Sequence, residues 1–137
     1  MAKLQSLYDI GINRLSLGVQ SLCNHDLPIL GRDHSAAEAI QAIETAKRIF
    51  GDKGFTFDMI FGRPGQSYKD WSKEIDQALS IAGHHISIYQ LTLERGTPLF
   101  RDVMAGKVAS IAGVEEIEDM YEHTLEVSYS LNAGELQ

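Results

Sequence analysis

Apolar positions along this chain switch repeatedly between the spacing of a helix and the spacing of a strand. Leu4, Leu7 and Tyr8 recur at helical intervals, and Gly11 follows as a helix C-terminal cap. From Arg14 to Gln20 the period changes to two, with Leu15, Leu17 and Val19 on one face and Ser16, Gly18 and Gln20 on the other. A short helical turn is predicted around Asp26–Leu30, closed by Gly31.

Ser35 and Glu38 then form a capping-box pair ahead of "AAEAIQAIETAKRIF", where Ile40, Ile43, Lys47 and Phe50 keep helical spacing up to Gly51. Phe55–Phe61 alternates again: Phe55, Phe57, Met59 and Phe61 share one face, and Thr56, Asp58 and Ile60 the other. "GRPGQ" reads as a turn, and Ser67 with Asp70 marks the start of a helix carrying Trp71, Ile75, Ala78, Leu79 and Ala82. A third strand is predicted over Ile86–Leu93, with Ser87, Tyr89, Leu91 and Leu93 opposite Ile86, Ile88, Gln90 and Thr92. "ERGTPLF" leads into a polar connection. A last helix starts near Val114 with Ile117, Tyr121, Leu125 and Ser128 inward, and the tail "NAGELQ" is expected to fray.

Strands separated by helices of this length predict an α/β fold with βαβ units and a parallel sheet. Parallel strands are usually buried on both faces, yet one face of the first two strands carries Ser16, Gly18, Gln20, Thr56 and Asp58. Such a face either meets water or lines a cavity shared with a polar ligand, as inside a barrel. If the apolar faces meet the helices, Gln20, Asp58 and Thr92 project to one common side. Gln20 and Thr92 then sit at strand C-terminal ends, where α/β sheets bind ligands. Asp58 lies deeper and is costly to bury without a donor. Arg32, in "GRDH" just past the first strand, is either a two-pronged clamp for a carboxylate or a solvated loop arginine.

Composition narrows the function classes. The 137 residues fit one domain with a sizeable core. The formal net charge is −7 and the basic residues are scattered, which argues against a nucleic-acid groove. No apolar run approaches a membrane span, and "MAKLQSLYDI" has the character of neither a signal nor a transit peptide. The single cysteine, Cys23, reads as a partly buried structural thiol. His25, His34, His84, His85 and His123 show no metal-ligand spacing. "FGRPGQ" lacks the Lys-Ser/Thr end of a phosphate loop. No catalytic residue and no metal ligand is therefore assigned.

Four segments taken together carry a resemblance: "GINRLSLGVQSL", "LGRDHS", "FDMIFGRPGQS" and "HISIYQLTLERGTPLF". They resemble the middle portion of radical S-adenosylmethionine proteins, within them the oxygen-independent coproporphyrinogen III oxidases and the heme chaperone branch. "YQLTLERGTPL" leans to the chaperone branch. The resemblance runs from about Leu4 to Phe100, with a weaker extension to Tyr121. It implies a partial (β/α) barrel over residues 1–112, supplying the last three strands, followed by a C-terminal helix and tail over 113–137. It also implies that Gln20, Arg32, Asp58 and Thr92 match positions that contact S-adenosylmethionine. Arg32 would clamp the methionyl carboxylate, Asp58 would accept a polar hydrogen, and Gln20 would bond the nucleoside portion.

The family's four-iron, four-sulfur (4Fe-4S) cluster is held by three cysteines in a C-x-x-x-C-x-x-C loop, which this sequence lacks. The chain thus reads as a fragment or short isoform of a heme-metabolism protein, keeping part of the cofactor cradle without the cluster that makes it reactive. Heme is the implied partner of the complete protein, and a mitochondrial location is implied by animal relatives. The alternatives are an inert or regulatory α/β fragment acting through protein contacts, and a different barrel enzyme using Asp58 as a base. Half a barrel is expected to be marginally stable or to self-associate through its open strand edge.

Overall fold

Three parallel strands lie in the order β1 (Leu15–Gln20), β2 (Phe55–Phe61), β3 (Ser87–Gln90), joined by helices as the two periods predict. The computed structural model describes residues 2–132; the fraying expected of the tail falls on residues 133–137, outside them. Helix α1 (Ala2–Asp9) precedes β1, α2 (Asp26–Ile29) and α3 (Ala36–Phe50) connect β1 to β2, and α4 (Tyr68–Ile81) connects β2 to β3. Two further helices come after β3, α5 (Pro98–Met104) and α6 (Val114–Asn132).

Local chemistry explains where α3 and α4 begin. Ser35 accepts the Glu38 N–H while Glu38 accepts the Ser35 N–H, a complete capping box, and Ser67 accepts the Asp70 N–H. Gly51 closes α3 at φ 79°, a conformation that costs a residue with a Cβ.

The core lies on one side of the sheet. Phe55, Phe57, Met59 and Phe61 are buried along β2, packed with Ile43, Ala46, Trp71, Ile75 and Ala78 from α3 and α4. Each such phenylalanine withdrawn from water stabilises the fold by about 1.5–3 kcal/mol. The opposite face stays open: Ser16 and Gly18 are exposed, and Thr56, Asp58 and Ile60 are half-buried.

Three expectations are corrected. The third strand ends at Gln90, and its register sets Ser87 beside Asp58 and Tyr89 beside Ile60. Its Asp58-facing side is therefore Ser87 and Tyr89, while Ile86 and Ile88 join the core. Thr92 lies two positions past the strand, exposed, and in phase with the core side, so the alternation argument does not place it with Asp58. Second, α6 buries the expected Ser128 together with Met120 and Thr124, rather than Tyr121 and Leu125, which are 53% and 38% exposed. The reason is the Trp71 indole N–H, which donates to Thr124 Oγ1 at 2.9 Å and turns the helix one residue from the purely apolar stripe. Third, the connection after "ERGT" contains α5, begun by a Thr97 cap and Pro98 in its first turn, with no residue buried.

Candidate functional site

The last turn of β1 departs from a regular strand. Leu15, Ser16 and Leu17 pair in step with Phe55, Thr56 and Phe57, but Gln20 then pairs with Met59, so β1 carries one residue more than β2 over this stretch. Asp58 fills the gap: its Oδ1 accepts the Val19 N–H at 2.7 Å and the Gln20 N–H at 3.2 Å, in place of a backbone carbonyl. Gln20 itself stands at φ 68°, the one non-glycine residue at positive φ among those described, and Ser21 N–H closes back onto the Val19 carbonyl at 2.8 Å. That three-residue turn, centred on a left-handed glutamine, is a strained and uncommon conformation. The extra residue also breaks the period-two count before Gln20, so alternation alone does not fix which way it faces.

The carbonyls of the same stretch are held from the segment after α2. Arg32 Nη2 donates to the Gly18 carbonyl at 2.9 Å, and His34 Nε2 lies 3.2 Å from the Val19 carbonyl. Gly18 makes the first contact practicable, since a Cβ there would stand 3.1 Å from Arg32 Nη2. Arg32 Nε is removed from solvent and has no partner; among the described residues only His123 Nε2 shares that condition. A buried donor without an acceptor costs on the order of 1–3 kcal/mol, so Arg32 is only partly satisfied in this arrangement. Asp58 uses only Oδ1 in its two bonds to β1.

Of the four residues singled out from the sequence, Gln20, Arg32 and Asp58 thus converge on Gly18–Gln20. Among the described residues Thr92 makes no hydrogen bond to any of them.

Behind this turn lies a group that sequence reasoning passed over as a simple loop. Arg63, in "GRPGQ", is 1% exposed. Its Nε donates to Asp26 Oδ2 at 2.9 Å, its Nη1 to the Ile60 carbonyl at 2.8 Å, and its Nη2 to Glu74 Oε1. Gln66 Oε1 accepts the N–H groups of Gly62 and Arg63 at 2.8 and 3.3 Å. Glu74 Oε2 accepts the Leu22 N–H at 2.6 Å and the Ser21 hydroxyl at 3.3 Å. The signal that could have found this was a charged Glu74 in register with Trp71, Ile75 and Ala78 on the packed face of a helix. It needs a cation, and Arg63 begins the same connection.

A cleft of about 700 Å³ opens beside this cluster, walled by Cys23, Arg63, Glu74 and the loop at Lys107–Ala109. None of Gln20, Arg32, Asp58 and Thr92 lines it. Among the described residues there is no group of three side chains able to hold a metal ion. No described helix is long and apolar enough to cross a membrane.

No family model matches the chain. It is 44% identical over 120 residues to the mitochondrial radical S-adenosyl methionine domain-containing protein 1 of Danio rerio, covering 88% of this chain and 27% of that protein. The chain belongs to the radical S-adenosylmethionine family. Within it, the chain falls in the branch that includes the heme chaperone HemW of Bacillus subtilis, 32% identical over 143 residues, with 96% of this chain and 37% of that one covered. The chain therefore spans 27% to 37% of the length of these relatives. The coproporphyrinogen III oxidase HemN of Escherichia coli, described as a radical SAM enzyme, superposes with a TM-score of 0.74 at 17% identity, over 97% of this chain and 29% of that one. That likeness shows the fold: the three strands and their helices match part of the radical SAM barrel.

Proposed function

We propose that this chain carries part of an S-adenosylmethionine cradle from a protein of heme metabolism, of the heme chaperone kind. The observation that carries the proposal is the pair of unspent polar groups flanking the strained end of β1: the buried, unpartnered Nε of Arg32 and the Oδ2 of Asp58. A ligand with a carboxylate at one end and polar hydrogens at the other complements that pair. Arg32 Nε would meet the methionyl carboxylate, Asp58 would accept a polar hydrogen, and Gln20 would bond the nucleoside portion. Thr92 enters only through its matched position in the family. Relatives named as heme chaperones and as mitochondrial support a heme-handling, mitochondrial parent.

The iron–sulfur cluster does not fit this chain. One cysteine, Cys23, cannot supply three thiolates, so no step is routed through a cluster. Reconstitution with iron and sulfide is expected to give no cluster absorbance, and a stoichiometric cluster would overturn that expectation. Calorimetric titration of the purified chain with S-adenosylmethionine tests the cradle. Binding is expected in the wild type and at least tenfold weaker binding in Arg32→Ala and Asp58→Ala. No heat in the wild type defeats the proposal.

A second reading, an interaction fragment without cofactor, has its own support. β1 and β3 are both edge strands, and Tyr89 stands 57% exposed on the open face. Sedimentation would then find self-association, while a monodisperse monomer with a sharp cooperative melt would argue against it.

A further inference from the structure

We infer that Arg63 and Glu74 are positioning residues for the Gln20 turn, holding it in its left-handed conformation from the side of the sheet away from Asp58. The inference rests on the cofactor reading for its purpose, and on the geometry alone for its mechanism. Gln20 gains nothing from its own backbone at φ 68°, because a left-handed non-glycine residue is disfavoured by roughly 1–2 kcal/mol. The residues just after it, Ser21 and Leu22, must be held in place by other groups.

Glu74 does so directly. One carboxylate oxygen takes the Leu22 N–H at 2.6 Å and the Ser21 hydroxyl at 3.3 Å, and Ser21 Oγ in turn accepts the Cys23 N–H at 2.9 Å. Ser21 is fully buried, so these groups have no water to replace Glu74. Arg63 then fixes Glu74. It bridges Glu74 to Asp26, the first residue of α2, and anchors both to the Ile60 carbonyl on β2. Because Asp26 and Ser21 bound one short loop, a single guanidinium ties both ends of that loop to β2. Asp58, two residues before Ile60 on the same strand, grips Val19 and Gln20 from the open face. The turn is thus clamped between two carboxylates, and the second depends on Arg63.

A planar fork with donors in three directions is what this bridge requires, so lysine cannot replace it. Amide hydrogen exchange in Arg63→Lys and Glu74→Gln, monitored by nuclear magnetic resonance, provides the test. Leu22 N–H is expected to exchange at least tenfold faster in both variants, while Phe57 N–H in the core of β2 keeps its wild-type rate. S-adenosylmethionine affinity, by calorimetry, is expected to fall at least tenfold without loss of the cooperative melt. Wild-type protection at Leu22 in Arg63→Lys overturns the inference, as does equal acceleration at Leu22 and Phe57, which would mean general loosening. If the wild type binds no S-adenosylmethionine, the functional reading fails, and the exchange comparison by itself still decides whether Arg63 and Glu74 hold the turn.

Discussion

Asp58 and Glu74 grip the same short stretch of chain from opposite sides of the sheet, and they are built differently. Glu74 is buried and both of its oxygens are committed, one to Leu22 and Ser21, the other to Arg63 and Gln66. Asp58 is half-buried on the open face and commits a single oxygen to Val19 and Gln20. One carboxylate is saturated and can only hold; the other holds and keeps capacity for a further donor. The same contrast separates the two arginines. Arg63 has each of its three nitrogens bonded, whereas Arg32 rests on Gly18 with Nε unmet. Saturated polar groups brace this turn, and the unsaturated ones are those the proposed ligand would use.

The contrast can be broken most severely at Arg63. Arg63→Met strands the buried carboxylates of Asp26 and Glu74 together, and stability is expected to fall by about 3–5 kcal/mol in urea unfolding. A loss under about 1 kcal/mol would mean that the cluster is not structural. Asp58→Ala removes the acceptor of two N–H groups, one on buried Val19 and one on half-buried Gln20, but strands no charge, so the expected loss is smaller, about 1–2 kcal/mol. Equal losses in the two variants would erase the distinction between a saturated and a half-open site.

Gln20→Gly works in the other direction. It relieves the left-handed strain at φ 68° and is expected to raise stability by about 1 kcal/mol while weakening S-adenosylmethionine binding, read by melting and calorimetry together. Gly18→Ala is the mildest change. The new methyl meets Arg32 Nη2 at 3.1 Å and lifts it from the Gly18 carbonyl, with stability expected within about 0.5 kcal/mol of wild type. Any effect on ligand affinity there reports the seating of Arg32, since neither partner is in the core.

The range of each force set how much of the structure was legible along the chain. Period, caps and turns are local, so β2 was legible to the residue and the Ser35 capping box was found atom for atom. Strand alternation, also local, separated the packed face of β2 from the open one and brought Asp58 forward. It was insufficient at Gln20 and misphased at Thr92, in both cases for non-local reasons. At Gln20 the bulge depends on a carboxylate 38 positions away along the chain. At Thr92 the phase was set by which side of β3 packs against α4 and its neighbours, and the β-branched Ile86 and Ile88 won that side over Ser87 and Tyr89. On α6, likewise, the hydrogen bond from Trp71 to Thr124 outweighed the apolar count that favoured Tyr121 and Leu125.

The sequence by itself determined that this is an α/β chain of three parallel strands, that one face of the sheet is polar, and that a single cysteine cannot carry a cluster. Its motifs pointed to the family that the relatives establish. Only the tertiary structure decided which polar groups are spent. Whether a charge is a strut or a binding group depends on the donors and acceptors that folding brings beside it. Arg63 and Arg32 look alike along the chain, each following a glycine in a connecting loop. Folding encloses the first among three acceptors and leaves the second one acceptor short.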